Sequence, residues 1–460
     1  MMHRTFITAC LFALLLTSTA SAQDRKPNVI LIYADDLGYA DVGCFGAKGF
    51  KTPNLDRMAK EGVKFSSFYT GCSVCSGSRA ALMTGRHYRR VGVVPVMFPG
   101  TKVGMNPNEI TIARLLKRLG YVTGIIGKWH LGHLAKYLPT RQGFDYYYGI
   151  PYSNDMAIDP VSAKFAKDIL FREGKTEAMV RTEKGIGGKA PLMRGEEVIE
   201  YPVDQTTLTK RYTEEALRFI KDNKEKPFFL YMPQTFPHVP LHVSPAFKGR
   251  TKTLFGDVME ELDWSIGEVL KSVKDNGIEK NTLVVFTSDN GAHQGSAGVL
   301  RGKKATMYEG GFRVPMIARW PGKITADTTT DEIAATVDML PTIAALCGGK
   351  APDDRPIDGK DIRPLLFGER GAKTPHEHYL FPHLNGALRS GNWKFYPWPE
   401  GAGKKDKLDL KKGVQLYDLA KDIGETKNVA AAHPEVVREL TAVYLRMTED
   451  LTKNKVPVPD

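Results

Sequence analysis

The chain has 460 residues, of which 42% are hydrophobic and 25% charged, as in an ordinary soluble globular protein. A chain of this length can bury a large core and commonly splits into more than one domain or subdomain. Its formal net charge of +12 favours anionic partners but does not identify them. The basic residues are scattered and no nucleic-acid-binding motif is present, so we expect no nucleic-acid partner.

The N-terminus has the pattern of a cleavable export signal. Arg4 precedes a short apolar run over residues 6–16, which ends in the small residues 20–22. This pattern predicts a signal peptide over residues 1–22, cleaved near Ala22, and a secreted or periplasmic mature protein. The alternative is an uncleaved anchor helix, but the run is too short to span a bilayer. No other stretch is long and apolar enough, so we expect no stable membrane insertion.

Short apolar runs alternate with amphipathic segments, which predicts an α/β fold with a mainly parallel sheet flanked by helices. The predicted strands cover residues 29–34, 122–126, 228–232, 283–287 and 316–320. Predicted helices with clear end signals cover residues 53–61, 112–119 and 255–275. Residues 157–203 have weak periodicity and are predicted to form a long excursion from the sheet, with small strands of its own.

The pattern changes near residues 368–373. An aromatic-rich stretch follows, and a final amphipathic helix is predicted over residues 434–451. We therefore predict a catalytic domain over residues 23–370 and a smaller C-terminal α+β subdomain over 371–460. In that subdomain one helix packs on an antiparallel sheet.

Polar side chains follow the predicted strands. In open α/β sheets, ligands bind at the carboxyl ends of the strands. The residues at these ends are carboxylates, an amide, a lysine and two histidines: Asp35, Asp36, Lys128, His130, His238, Asp289 and Asn290. Such a set is expected around a metal ion and an anion.

Three of these residues are carboxylates and one offers an amide oxygen, which suits a hard divalent cation. We predict that Asp35, Asp36, Asp289 and Asn290 bind Ca²⁺ rather than Mg²⁺, because every ligand is an oxygen donor and the geometry can be irregular. Each acidic pair alone is also compatible with a turn or a helix cap. Two such pairs at two strand ends favour a metal site.

Residues 75–85 read CSGSRAALMTG and are the most informative stretch of the chain. The Cys75 thiol precedes a Ser-Arg pair and a run typical of the first turns of a helix. A nucleophile there lies at the positive helix end and near Arg79, which suits an anionic substrate. Two alternatives are a small buried cysteine and a redox or metal pair with Cys72, although no second cysteine pair completes a zinc site.

This stretch resembles the signature of type I, formylglycine-dependent sulfatases, Cys-x-Pro-Ser-Arg followed by Thr-Gly, although Gly77 stands where the family usually has proline. The resemblance is to arylsulfatase A-like members and extends over nearly the whole mature chain. It includes DD at 35–36, GKWHLG at 127–132, GIPYS at 149–153, PH at 237–238, DNG at 289–291 and the segment 300–315. It implies an alkaline-phosphatase-like fold.

The resemblance implies a sulfuric ester hydrolase. Cys75 would be oxidised to formylglycine (3-oxoalanine) by a formylglycine-generating or equivalent maturation enzyme. The hydrated aldehyde would attack sulfur, and its oxygen would join the metal ligands. Arg79 would hold this nucleophile. Lys128 and Lys304 would bind the sulfate oxygens, and Ser153 would line the sulfate pocket.

Two histidines have implied roles in proton transfer. His238 or Lys304 would protonate the leaving alcohol, and His238 would also contact the substrate. His130 would take a proton from the sulfated hydrate, so that sulfate is eliminated and the aldehyde returns. Counting back from Tyr308 places the family's lysine on Lys304, whereas Lys303 falls where a glycine is usual.

The expected substrate is a sulfated sugar or glycan, or an aryl sulfate, and no motif identifies which. A first alternative function is phosphate or phosphonate ester hydrolysis, but a doubly charged phosphate favours a second metal ion and the sequence offers ligands for one. A second alternative is a non-catalytic secreted glycan-binding protein, the expected outcome if Cys75 is not matured.

Overall fold

The computed structural model describes residues 25–182, 189–381, 386–401 and 412–455. The predicted signal peptide lies outside these ranges. The strands of the described residues are β1 (Asn28–Ala34), β2 (Val63–Tyr69), β3 (Val122–Ile126), β4 (Tyr146–Gly149), β5 (Phe165–Phe171), β6 (Leu192–Arg194), β7 (Glu197–Tyr201), β8 (Phe228–Pro233), β9 (Thr282–Ser288), β10 (Arg313–Arg319), β11 (Thr328–Thr330), β12 (Ala334–Ala335), β13 (His378–Phe381), β14 (Ala387–Ser390), β15 (Trp393–Tyr396) and β16 (Gln415–Asp418).

The α-helices alternate with these strands over most of the described chain. They are α1 (Pro53–Lys60), α2 (Cys75–Thr84), α3 (Ile112–Arg118), α4 (Glu177–Thr182), α5 (Leu208–Asn223), α6 (Leu254–Asp275), α7 (Glu309–Phe312), α8 (Met339–Leu346), α9 (Arg363–Phe367) and α10 (Pro434–Lys453). None of the helices in these ranges is both long and apolar enough to cross a bilayer.

Twelve strands form one large sheet, in the order β11-β2-β10-β9-β1-β8-β3-β4-β6-β7-β5, with β12 also paired to β2. The central strands β9, β1, β8, β3 and β4 are parallel. Strand β10 is antiparallel to both β9 and β2. The predicted α/β class with a mainly parallel sheet is therefore confirmed.

Strand β1 shows why the central strands read as continuous apolar runs. Every one of its residues is buried. Val29, Leu31 and Tyr33 belong to the core on one face of the sheet, and the alternate residues Ile30 and Ile32 to the core on the other. Because successive side chains point to opposite faces, a strand covered on both sides needs apolar residues throughout.

Helices supply both of these cores. Helices α5 and α6 contribute apolar residues to the core that includes Ile30. Helices α2, α3 and α8 contribute to the core that includes Val29. The sheet therefore lies between two helical layers, and its strand ends are the places where polar groups can collect.

The predicted excursion over residues 157–203 does contain small strands, but they do not leave the sheet. Strand β6 pairs with β4, β7 pairs with β6, and β5 pairs with β7, so all three extend one edge of the large sheet. Only Ala166 of β5 is buried, and Lys167 and Asp168 interrupt its apolar residues, so the strand has no clear hydrophobic pattern.

The C-terminal part contains a second, four-stranded antiparallel sheet, β13-β14-β15-β16. Helix α10 packs on one face through Leu440, Val443 and Tyr444. Tyr379 and Phe381 on the other face join a core that also contains Tyr69 and Phe312 of the large sheet's region. The predicted sheet with one helix is present, and the domain boundary at residues 370 and 371 stays a prediction.

Candidate active site

The two acidic pairs lie side by side because their strands end level with each other. Strands β1 and β9 pair in register, with Ala34 opposite Ser288. Asp35 and Asp36 follow the first strand, and Asp289 follows the second. All three carboxylates are buried, as is the neighbouring amide Asn290.

Cys75 reaches the same edge from strand β2. This strand is antiparallel to β10, which is itself antiparallel to β9, so β2 and β9 end at the same edge. A short turn leads from β2 to Cys75, the first residue of α2. Its Sγ lies 3.6 Å from Oδ1 of Asp35 and 3.5 Å from Nζ of Lys304. The thiol is therefore placed between a carboxylate and an ammonium group.

Burial raises the pKa of the Cys75 thiol well above its usual range, although the charges of Lys128 and Lys304 act to lower it. The residue is only 2% exposed. A thiol in this environment stays protonated at neutral pH and is a poor nucleophile, because the thiolate is the reactive form.

The acidic residues and the amide form a compact set of oxygen ligands. The backbone N–H of Asp36 donates to Oδ1 of Asp289 at 3.0 Å, and the amide of Asn290 donates to Oδ1 of Asp36 at 2.7 Å. Oδ1 of Asn290 is buried and has no hydrogen-bond partner within the described ranges. A buried acceptor without a donor is costly unless it receives a ligand.

The electrostatics of this set also fit a cation. Burial and the charge of Asp35 raise the pKa of Asp289 to about 7. Ligand atoms of Asp35, Cys75 and Asp289 lie within 4.8 Å of one another, as do those of Asp36, Cys75 and His238. Carboxylate and amide oxygens at this spacing suit Ca²⁺ or Mg²⁺.

Two buried cations face these carboxylates from other elements. Arg79 lies one turn after Cys75 on α2, and its guanidinium donates to Oδ2 of Asp289 at 2.8 Å and to the carbonyl of Lys128 at 3.0 Å. Nζ of Lys128 contacts Oδ2 of Asp35 and lies 3.2 Å from Oγ of Ser153. The side chains of Arg79 and Lys128 are completely buried.

The structure distinguishes the two adjacent lysines. Nζ of Lys304 lies 2.7 Å from Oδ1 and 2.8 Å from Oδ2 of Asp36, beside Cys75. Lys303 is exposed. Burial acts to lower the pKa of Lys304, but the neighbouring carboxylates of Asp36, Asp35 and Asp289 raise it above its usual range, so its ammonium group stays charged.

The two histidines complete the cluster. Nε2 of His130 lies 2.9 Å from the carbonyl oxygen of Met97 and donates to it in the neutral tautomer, while Nδ1 is buried without a partner among the described residues. Burial, with the charges of Lys128 and Arg79, holds the pKa of His130 well below its usual range. A neutral ring with a bare nitrogen can accept a proton.

His238 lies on the other side of the carboxylates. Its Nε2 is 3.7 Å from Oδ2 of Asp36, and its Nδ1 is 3.1 Å from Oδ1 of Asn154 and 3.3 Å from Oγ of Ser153. Burial lowers its pKa. The structure thus brings every residue of the predicted site to one edge of the sheet.

Three backbone positions in the site have unusual conformations. Asp36 and His130 have positive φ angles of 65° and 61°, which few residues with a side chain adopt. Gly127, before Lys128, has φ of 133°, and a Cβ atom there would lie 1.8 Å from the carbonyl oxygen of Pro233. Such conformations persist where surrounding contacts fix them, and they often occur at functional sites.

Comparison with known proteins identifies the family. The sequence pattern of the Sulfatase family matches residues 27–349, which is more than half of the chain. The chain belongs to the sulfatase family. The enzyme is therefore a sulfuric ester hydrolase, and the matched range contains every residue of the site described above.

This sulfatase is similar to several named proteins. It is 37% identical to human arylsulfatase A over 94% of this chain and 90% of that protein. It is 36% identical to mouse steryl-sulfatase over 81% of this chain and 70% of that protein. Among solved structures it resembles Ps i-CgsB in complex with k-i-k-neocarrahexaose, with a TM-score of 0.78, 29% identity and 94% of each chain covered.

Sequence reasoning missed several side chains that support the site. The hydroxyl of Tyr33 lies 2.8 Å from that of Ser78, which also contacts Thr70. Thr70 in turn contacts the carbonyl oxygen of Asp289, and Asn154 orients His238. Ser78 and Asn154 adjoin predicted site residues, which could have indicated them. Thr70 has no such signal, because only the fold places it near Asp289.

The glycine at the family's proline position has a local explanation in this sulfatase. The backbone N–H of Gly77 donates to the carbonyl of Pro95 at 3.0 Å, a bond that proline cannot make. A Cβ atom at Gly77 would lie 2.8 Å from Sγ of Cys72. Glycine therefore suits this position for two reasons: Cys72 fills the space that a side chain would need, and the carbonyl of Pro95 accepts from the backbone N–H.

Proposed function

We propose that this sulfatase hydrolyses sulfate esters of a sugar or glycan, or aryl sulfates, with a formylglycine derived from Cys75 and one divalent cation, most favourably Ca²⁺. One observation carries the proposal: the nucleophile position, Cys75 Sγ, lies within 3.6 Å of both Asp35 and Lys304. The cation ligands and the anion-binding groups thus surround the same atom.

The protonation of Cys75 supports its conversion. Burial raises the pKa of this thiol and so disfavours the thiolate needed for direct attack. Formylglycine at this position would supply a hydrated aldehyde as the nucleophile towards sulfur. We therefore include a maturation enzyme, formylglycine-generating or equivalent, as a partner.

The metal ligands would be Asp35, Asp36, Asp289, Asn290 and the converted residue 75. A divalent cation there would supply positive charge to the nucleophile and to a sulfate oxygen. The unpartnered Oδ1 of Asn290 and the raised pKa of Asp289 both favour a bound cation. Oxygen-only ligands with irregular geometry favour Ca²⁺ over Mg²⁺.

The fixed cations would bind and stabilise the reacting sulfate. Three carboxylates face Arg79, Lys128 and Lys304, so the charges of the buried set nearly cancel until a cation is added. A sulfate ester carries one negative charge, and charge grows on the bridging oxygen as its bond to sulfur breaks. Preorganised cations stabilise that developing charge more than the ground state.

Proton transfers fall to the groups nearest the reacting atoms. His238 or Lys304 would donate a proton to the leaving alcohol, since both lie beside Asp36, with Nε2 of His238 at 3.7 Å and Nζ of Lys304 at 2.7 Å from its carboxylate. His130 would accept a proton from the remaining hydroxyl of the sulfated hydrate, so that sulfate is eliminated and the aldehyde returns, because its ring is neutral and Nδ1 has no other partner among the described residues. Ser153 lies between Lys128 and His238 and would line the sulfate pocket.

The exported location is part of the same proposal. The basic start, short apolar run and small residues of the first 22 positions support export and cleavage near Ala22. Sulfated glycans accessible to a secreted or periplasmic enzyme would then be suitable substrates.

The direct test combines mass spectrometry and turnover. We expect the peptide containing residue 75 to have the mass of formylglycine in active protein, and 4-nitrophenyl sulfate or a member of a panel of sulfated mono- and polysaccharides to be hydrolysed. Replacement Cys75→Ala should abolish turnover, whereas Cys347→Ala, at another buried cysteine, should keep it. Wild-type rates in Cys75→Ala, or faster hydrolysis of 4-nitrophenyl phosphate than of any sulfate, would refute the proposal.

A further inference from the structure

The loop that carries Lys304 is held by the C-terminal part of the chain. We define the lysine loop as residues 301–309. Its ends lie close together, because the N–H of Gly310, the residue after the loop, donates to the carbonyl of Arg301 at 2.7 Å. Two backbone hydrogen bonds fix its middle: the N–H of Lys304 donates to the carbonyl of Ala292, and the N–H of Ala305 donates to the carbonyl of Ser73. These contacts position the backbone from which Nζ of Lys304 reaches Asp36.

Glu425 contacts both ends of this loop. Its Oε2 accepts from the backbone N–H of Glu309 at 2.8 Å, and its backbone carbonyl accepts from the guanidinium of Arg301 at 2.9 Å. Its Oε1 accepts from the hydroxyl of Tyr396 on β15. One carboxyl oxygen therefore contacts the lysine loop and the other contacts the C-terminal sheet.

The geometry of Glu425 is itself tightly specified. The residue is completely buried and has a positive φ of 52°. The carboxylate of Asp422 accepts from the backbone N–H groups of Thr426 and Lys427, each at 2.8 Å, which closes the turn around Glu425. A buried carboxyl group held in an uncommon backbone conformation indicates a position that the surrounding structure requires.

Glu425 is not needed simply to neutralise the buried lysine of this region. Nζ of Lys394 is bound by Oε1 of Glu309 at 2.8 Å. Both carboxyl oxygens of Glu425 are instead directed to a backbone N–H and a tyrosine hydroxyl. We infer that Glu425 is a positioning residue for Lys304, which sets the lysine loop so that the ammonium group faces residue 75. The inference rests on the proposed role of Lys304.

The test is a double-mutant cycle between these two positions. Glu425→Gln keeps the shape, but its amide nitrogen cannot accept, so Tyr396 or the N–H of Glu309 loses an acceptor. Misplacement of a reacting group by about 1 Å costs roughly a hundredfold in rate. We therefore expect kcat/KM for 4-nitrophenyl sulfate to fall between tenfold and about a hundredfold. In Lys304→Ala protein the same change should have an effect of less than about twofold.

Glu400→Gln is the matched control. Glu400 also pairs with Arg301, but its side chain is 67% exposed, so its loss should change kcat/KM by less than about twofold in either background. If Glu425→Gln prevents folding, Tyr396→Phe removes one donor to Glu425 and keeps the aromatic ring. Its smaller loss should likewise vanish in Lys304→Ala protein. Equal losses with and without Lys304, for either variant, would overturn the inference.

A binding measurement separates this inference from the proposed function. Calorimetry with inorganic sulfate needs no turnover. Glu425→Gln should weaken sulfate binding when Lys304 is present and leave it unchanged in Lys304→Ala protein. Failure of the wild-type protein to hydrolyse any sulfate would refute the function alone. Equal weakening of sulfate binding in both backgrounds, or a lower unfolding temperature with unchanged activity per folded molecule, would refute the positioning role.

Discussion

Two buried charge clusters can be compared in this sulfatase. The catalytic cluster is the set of carboxylates, cations and histidines around Cys75, together with the amide of Asn290. We call the second the junction cluster: it lies where the C-terminal sheet meets the large sheet and consists of Glu309, Arg313, Arg389, Lys394 and Glu425. Nearly all of these groups are buried, and both clusters pair carboxylates with lysine and arginine.

The clusters differ in how completely their polar atoms are paired. In the junction cluster, the Glu309 carboxylate accepts from Lys394 at 2.8 Å, from Arg313 at 2.7 Å and from the Tyr69 hydroxyl at 2.7 Å. Burial opposes ionisation of Glu309, but the charges of Lys394 and Arg313 lower its pKa well below the usual range. This carboxylate is fully satisfied by the protein.

In the catalytic cluster, several buried atoms have no partner in the described part of the chain. They are Nδ1 of His130, Oδ1 of Asn290 and Nε of Arg79. In the junction cluster, no buried side-chain nitrogen or oxygen lacks a hydrogen-bond partner within the described residues. Buried polar groups are normally paired, so the bare Oδ1 of Asn290 and Nδ1 of His130 are available to a ligand or a proton. Among the described residues, unpaired buried atoms also occur away from the site, as at Tyr121 and Arg86, so incomplete pairing has this meaning only where it coincides with the carboxylates and cations around Cys75.

The largest expected effect comes from removing a metal ligand. Asp289→Ala should lower metal content and turnover together, because it removes a hard oxygen ligand. Elemental analysis and a sulfatase assay measure both. Asp41→Asn is the control, since Asp41 is a buried carboxylate nearby that accepts from the backbone N–H groups of Gly38 and Ser296. Active wild-type protein without stoichiometric metal would contradict the assignment.

The second prediction separates the adjacent lysines. Lys304→Ala should lower kcat/KM by several powers of ten, on the order of a thousandfold, because a buried cation facing transition-state charge is lost. Lys303→Ala should cost far less, since an exposed lysine contributes mainly long-range attraction that salt screens. Steady-state kinetics at two salt concentrations measure both effects, and equal losses would show that Lys304 is not the pocket lysine.

Strands with a continuous apolar run could be predicted from the sequence, whereas a strand whose run is interrupted could not. The five predicted strands match β1, β3, β8, β9 and β10 to within three residues at each end, because burial on both faces gives continuous apolar runs. Strand β2, which leads to Cys75, was not predicted. Its residues read VKFSSFY, and Lys64 with two serines interrupts the apolar run.

The site was predictable where polar residues directly follow a strand, as with Asp35 and Asp289. The details inside loops were not. The spacing to Tyr308 indicated Lys304, but the turn beside it was not predictable: Ala305 has a positive φ of 65° and its N–H donates to the carbonyl of Ser73. The contact between Glu309 and Glu425 joins positions 116 residues apart, so only the folded chain shows it.

The third prediction tests the junction cluster. Lys394→Met should lower the free energy of unfolding by about 3–5 kcal/mol, because it leaves the buried Glu309 carboxylate without its lysine. Metal content per folded molecule should not change. Chemical denaturation measures the loss, and Lys373→Met, which removes an exposed pair with Glu332, should be nearly neutral. A comparable loss in both variants would remove the distinction between buried and surface pairs.

The smallest expected effect concerns Gly77, which adjoins the catalytic cluster without belonging to its charged groups. Gly77→Ala would place Cβ 2.8 Å from Sγ and 3.0 Å from Cβ of Cys72, and 3.2 Å from the Tyr88 ring. Overpacking of this kind lowers the free energy of unfolding by about 1–3 kcal/mol. Gly77→Pro should cost more, because it also removes the N–H that donates to Pro95.

A second substitution can show that the cost at Gly77 arises from crowding. Cys72→Ala removes Sγ, so the loss caused by Gly77→Ala should be smaller in that background. Gly100→Ala is the matched control, because a Cβ atom at Gly100 would have nothing within 4 Å. Denaturant unfolding of the single and double variants measures these differences. If Gly77→Ala were as well tolerated as Gly100→Ala, crowding by Cys72 would not explain why glycine replaces the family's proline here.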